Sequence, residues 1–265
     1  MPARRVDAAV AGAEPARAER RRLLAVLAIG GLLGVWAALG ATGWVKPFYL
    51  PPLPQVLALA GRMLLDGTLA WHAAVSLGRV AAGFALGVGI ALPLGMLMGL
   101  SSRIYQGLEP WIELVRPIPP IAWIPLAILW FGIEEASKVF IITYGAFFPI
   151  MINTMAGFRD LDPVHLRAAR ILGANRVQIF WHVVVRSASR RIVTGLRLGL
   201  GMAFIVLVAA ELIAAKAGLG FLIQDARFNV QTDRVMVGMA AIGVIGFGLN
   251  AALQALERRL VRWRP

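Results

Sequence analysis

Four stretches of this chain, inside 23–44, 80–102, 139–158 and 235–256, contain no Asp, Glu, Lys or Arg and are built from Leu, Val, Ile, Ala and Gly. Crossing about 30 Å of hydrocarbon takes roughly 20 helical residues, so each run is long enough to span a membrane. Two further segments are interrupted. Residues 117–133 are uncharged but carry Pro117, Pro119, Pro120 and Pro125, and residues 198–215 are apolar except for Glu211. Six spans are expected, as an all-α helical bundle. Composition agrees: 59% hydrophobic and 15% charged residues, with a mean hydropathy of +0.73, exclude a water-soluble domain of 265 residues and also exclude disorder over most of the chain. The absence of cysteine excludes a disulfide scaffold and thiol redox chemistry.

The net charge of +13 is first of all topology. With the N-terminus on the cytoplasmic side, 20 of the 27 basic residues fall in cytoplasmic segments and 7 outside, so an N-in, C-in orientation follows. Nucleic acid is therefore not an expected partner, whereas membrane lipid is. Residues 1–22 read as a polar basic cytoplasmic tail, 23–260 as the membrane domain with a cytoplasmic loop at 159–197, and 261–265 as a short basic tail. The first apolar run exceeds the 7 to 15 residues of a secretory signal, which makes an uncleaved anchor the expectation.

Within the second span Gly83, Gly87, Ala91, Gly95 and Gly99 recur every four residues, a ridge of small side chains along one helix face. Gly30/Gly34 and Gly195/Gly199/Ala203 repeat the device. Lipid supplies no hydrophobic drive between helices, so close contact along such ridges is what holds a bundle together. In the third span each interior proline removes an amide donor, and Pro119, Pro120 and Pro125 are expected to leave polar backbone facing protein or a wet pathway. Pro93 and Pro149 add possible kinks. Glu211, about 14 residues or roughly 21 Å past Arg197, should face the bundle interior. A pathway role and a structural pair with a bundle donor both stay open for it. Thr143, Tyr144, Asn153 and Thr154 are candidate pathway groups or interhelical bonds. With few fixed charges in the spans, a solute would be passed along by backbone and hydroxyl dipoles.

The loop between the fourth and fifth spans has its own helical grammar. Asp162-Pro163 gives an N-cap and a proline at the first helical position, Gly173 a stop, and Asn175 a second start. The result is a basic helix pair with apolar faces, suited to headgroups or to a groove on another protein. Arg167-Ala168-Ala169, Gly173 and Val183 resemble the cytoplasmic coupling loop of ABC importer permeases. Phe48 to Pro54, Ser76 to Val80, Pro93-Leu-Gly95, Arg116 to Ala122, Ile128 to Gly132 and Ala209-Ala-Glu211 through Gly220 are similar to the nitrate/sulfonate/taurine/bicarbonate branch, so the resemblance covers about residues 45–260. It departs at Arg167, where the family carries glutamate, and at Arg186 and Arg190, where it carries prolines. The resemblance implies a type I, MetI-like bundle in a bacterial inner membrane, importing a small anion. Its partners would be ABC ATPase subunits docked at the coupling loop, a second permease copy as a homodimer, and an external or periplasmic solute-binding protein.

Chemistry of the chain's own is not expected. No phosphate-binding Gly-x4-Gly-Lys-Ser/Thr run is present, so ATP would be hydrolysed on the partner and no cofactor is held here. His72, His165 and His182 lack companions at metal-ligand spacing. Glu134-Glu135 beside Lys138 reads as a solvated outer turn. No catalytic constellation emerges. A self-sufficient secondary transporter or channel, with Glu211 binding a coupling ion, remains the competing expectation.

Overall fold

The computed structural model describes residues 23–24, 27–28, 30–40 and 42–260, the last five through their backbone only. The tails at 1–22 and 261–265, and parts of the expected first span, lie outside the described residues. Among those described, helices account for every regular element. They are α1 (Gly30–Gly40), α2 (Leu53–Leu65), α3 (Thr68–Leu100), α4 (Ser102–Val115), α5 (Ile124–Phe131), α6 (Glu135–Arg159), α7 (Pro163–Ile171), α8 (Arg176–Ile179), α9 (Val185–Ala214), α10 (Leu219–Phe228) and α11 (Thr232–Leu260).

Helix α6 is the centre of the bundle, gripped between α3 and α9. The α3 ridge explains one side. A Cβ placed on Gly83 would lie 2.6 Å from the Ile142 side chain, on Gly95 2.6 Å from the Met151 carbonyl oxygen, and on Gly99 2.5 Å from Phe158 Cβ. On the other side a Cβ on Gly195 would lie 2.7 Å from Asn153 Cβ, and on Gly199 2.6 Å from Ile150. Only glycine lets the backbones approach this far, and the dispersion contacts so gained replace the missing hydrophobic drive. Ile142, Ala146, Ile150 and Met151 are consequently sealed inside. The Gly30/Gly34 pair behaves differently, with nothing among the described residues within 4 Å of either position. Helices α3 and α6 run on through Pro93 and Pro149.

Four described helices are long and apolar enough to cross a membrane, or five when the bent pair α4/α5 counts as one span. That pair places a helix ahead of the segment expected as the third span. It starts at Ser102: Arg159 lies 3.8 Å over the Tyr105 ring at one end of α6, the Tyr144 hydroxyl donates to the Val115 and Ile118 carbonyls halfway, and the Phe131 ring lies 5.4 Å from that of Phe140 at the other end. The segment therefore follows α6 along nearly its whole length, with an 81° bend between its halves. The prolines also act otherwise than expected. Pro120 opens a 3-10 turn (Pro120–Trp123) and Pro125 stands in the first turn of α5, positions whose amides have no helical acceptor in any case. They set the bend without stripping a helix ladder.

Within the loop at 159–197 the helix that starts at Asn175 runs on into the fifth span: α8, a π turn (Phe180–Val184) and α9 follow one another without a break. No glycine or proline occurs between Arg176 and Gly195, and arginine stands at 186 and 190, so no residue breaks the helix and only the bonding register shifts, in the π turn.

Candidate functional site

At the end of the bundle away from α7, a buried charge network joins four elements. Ser76 and Arg79, one turn apart on α3, face Glu211 on α9, and Arg79 Nη1 lies 2.7 Å from Glu211 Oε1. Ser76 Oγ donates to the same carboxylate at 2.9 Å and accepts the Leu219 amide at 2.9 Å, while the Gly220 amide donates to Glu211 Oε2 at 2.9 Å. Arg79 also grips Glu135 as a fork, Nε to Oε2 at 2.6 Å and Nη2 to Oε1 at 2.5 Å. Ser76 is 0%, Glu211 1% and Arg79 6% exposed, so the charges are sealed but mutually satisfied. Gly218, at φ +117°, brings the loop so close that a Cβ there would fall on the carboxylate; its amide donates to His72 Nδ1 at 3.0 Å, which leaves the His72 proton on Nε2.

Glu134 and Glu135 are exposed, as the reading of a solvated turn expects, but Glu135 is also an ion-pair partner. Lys138 corrects that reading: it is 3% exposed, with its ammonium donating to the Ile133 and Glu134 carbonyls at 2.8 and 3.0 Å. Arg79 joins the two carboxylates of the network, and sequence reasoning gave it no role beyond the Ser76 to Val80 resemblance. Its partners lie 56 and 132 positions away, and the only local signal was Ser76 and Arg79 at i, i+3 spacing.

At the α7 end the expected caps are present. The Asp162 side chain accepts the Val164 amide at 2.8 Å with Pro163 at the first helical position, Gly173 turns the chain at φ +78°, and Asn175 and Gln178 close a reciprocal capping box. Ala168, Ala169 and Val183 line one cavity of about 630 Å³ with His165, His182 and Arg190. Ile171 and Leu172, beside it, are 85% and 84% exposed. The Arg167 Nε reaches the Pro163 carbonyl at 3.4 Å. Asp160 and Arg191 form an ion pair of 2.7 Å that ties the end of α6 to α9.

The other predicted pathway groups do not converge. Thr143 donates to the Gly83 carbonyl at 3.0 Å and Tyr144 to the α4/α5 break, both as interhelical bonds. Pro119, Pro120 and Pro125 shape the bend. Asn153, which donates to the Pro149 carbonyl at 2.8 Å, lines a second cavity of about 560 Å³ whose other polar residues are Arg116, Arg197 and Asn250.

Residues 91–264 match the family described as binding-protein-dependent transport system inner membrane component. The chain is also 42% identical over 249 residues, 92% of its length and 90% of the relative's, to the taurine transport system permease protein TauC of Escherichia coli. It belongs to that family. The chain is likewise similar to the putative aliphatic sulfonates transport permease protein SsuC of Bacillus subtilis, 37% identical over 88% of this chain and 84% of the relative. The nitrate import permease protein NrtB of Leptolyngbya laminosa is 30% identical over 98% and 95%. A chain of the MetNI methionine ABC transporter, solved in inward-facing form, overlays with a TM-score of 0.51 at 18% identity, covering 68% of this chain and 92% of its own; it shows the fold alone. The chain is thus a multi-pass permease subunit of the inner membrane, and its work is transport. The self-sufficient transporter reading gives way to a subunit of a larger importer.

Proposed function

We propose that this permease passes a small oxyanion, of the sulfonate or nitrate kind, through an importer driven by ATP hydrolysis on partner subunits. The carrying observation is similarity along almost the whole chain to permeases whose names specify taurine, sulfonates and nitrate. The α7 end supports the coupling half of the reading. Ala168 and Ala169 leave room for close approach, Ile171 and Leu172 present apolar surface, and Arg167 and Arg170 add charge, which together suit a groove on an ATPase. A second permease copy completes the path, an external binding protein selects the solute, and the α7 end faces the cytoplasm by the arginine balance. Glu211 serves as a structural anchor, since three donors already occupy the carboxylate that a coupling ion would need.

The deciding experiment reconstitutes the permease with an ATPase subunit and binding protein in liposomes. ATP-dependent uptake of taurine, ethanesulfonate or nitrate is expected. Uptake that follows an imposed proton gradient without ATP would replace this reading.

A further inference from the structure

Helix α4 has three faces. Ile104, Tyr105, Leu108 and Ile112 turn one of them to the core, and Trp111 and Leu114, both about two-thirds exposed, make a second that is apolar. At 3.6 residues per turn Gln106, Glu109, Glu113 and Arg116 fall between those two on a polar stripe. Arg116 belongs to it because the C-cap keeps helical dihedrals.

The stripe runs beside a membrane span. Tyr105 lies under Arg159 at one end of α6 and the Val115 carbonyl accepts from Tyr144, so α4 follows the stretch of α6 between those residues, about 22 Å at 1.5 Å per residue. Glu113 and Arg116 flank the deeper contact. Both are exposed on the single chain, and among the described residues neither side chain has a hydrogen-bond or ion-pair partner. Glu109 differs, since it accepts from the Tyr105 hydroxyl. Ionised side chains at such depth do not face lipid; they face protein or water and pair with the opposite charge.

A carboxylate and a guanidinium three residues apart on one stripe form a self-complementary surface. A two-fold axis along the membrane normal keeps every residue at its height, and it sets Glu113 of one copy opposite Arg116 of the other, twice over. The rise between the two positions is about 4.5 Å, within reach of an arginine side chain. We propose that the α4 stripe is the face on which a second copy of this chain docks, closed by two symmetry-related Glu113–Arg116 pairs. The proposal rests on the second-copy reading above and assigns a face to it. Arg116 also borders the cavity of about 560 Å³, so the joint opens onto that cavity. Trp111 and Leu114 stay on the lipid side of the joint.

The test uses full chains carrying two different tags, expressed apart or together in membranes, with pairing read by co-purification of the second tag. Glu113→Arg puts two positive charges on every stripe and Arg116→Glu two negative ones. Each variant alone should pair about tenfold less than the parent or worse, the loss expected when a buried charge pair is broken. Expressed together, the two variants should pair with each other at close to the parent level, because every joint again matches arginine with glutamate. A bond between 113 and 116 within one chain cannot produce that rescue, since in each variant both positions carry the same sign. The chain has no native cysteine, which allows a second measurement without charge reversal. Glu113→Cys on one copy and Arg116→Cys on the other should be joined by a short bifunctional thiol reagent into a species of twice the mass, and this result decides the matter where a reversal variant fails to accumulate. Parent-level pairing of either reversal variant alone, or no joined species, would overturn the proposal. If the parent copies pair and the reversal variants pair equally well, the face is refuted while the second copy stands. If the rescue appears but the parent complex imports none of the three anions, the face stands and the importer reading fails.

Discussion

Deleting the Glu211 carboxylate would leave Ser76 and the Gly220 amide without that acceptor and Arg79 Nη1 with only the Ala217 carbonyl, in a region closed to solvent. Breaking one side of a buried pair in this way costs about 3–5 kcal/mol, so Glu211→Ala should sharply lower the melting temperature of the solubilised protein. Glu135→Gln is a different case. Its carboxylate is 61% exposed on the side chain, and water takes over much of its role, so a loss of no more than about 1 kcal/mol is expected in the same melt. The reverse ranking would show that Glu135 is the true anchor of Arg79. Glu211→Gln, which keeps the shape, should leave solute uptake as indifferent to a proton gradient as in the parent, measured in energised vesicles.

Helices α3 and α6 meet through faces only glycine can line, and this gives a sharp internal control. Gly95→Leu would drive a side chain into the Met151 carbonyl and Thr154, whereas Gly89, on the same helix, has nothing within 4 Å. Gly95→Leu should prevent assembly or cost about 3 kcal/mol or more, and Gly89→Leu should be tolerated, as judged by expression and melting. In the α7 turn, space is not the issue: Gly173 has nothing within 4 Å but sits at φ +78°. Gly173→Val should therefore distort the turn by about 1–2 kcal/mol and weaken ATPase co-purification and transport, while Gly173→Asn, which visits that conformation readily, should retain more. Unchanged co-purification and transport in the valine variant would remove the turn from coupling. The sequence made these elements unequally legible. Uninterrupted apolar length marked α3, α6 and α11, and cap residues marked α7, because both signals are local. Helix α4 escaped because Glu109 and Glu113 make it amphipathic, so no apolar run marked it. The Arg79 network escaped because its members meet only after three helices pack.

As a whole, the bundle presents α5 to the surroundings on one side and to α6 on the other. Single cysteines at 118, 121 and 129 replace residues that are 38%, 48% and 78% exposed, whereas positions 124 and 127 are 2% and 0%. Labelling should pick out the first three and spare the other two, and the reactive set should change when ATP is supplied with the partner ATPase; uniform inertness would remove this face from the path. Helix α6 ties these observations together. One end leads into α7 beside the Asp160–Arg191 pair, the other begins at Glu135 in the grip of Arg79, and glycine-tight packing on both flanks denies it room to bend. A helix of 25 residues held in this way is the keel of the bundle: α3, α6 and α9 are locked as one body, pinned at one end by the Arg79–Glu135 pair and at the other by the Asp160–Arg191 pair.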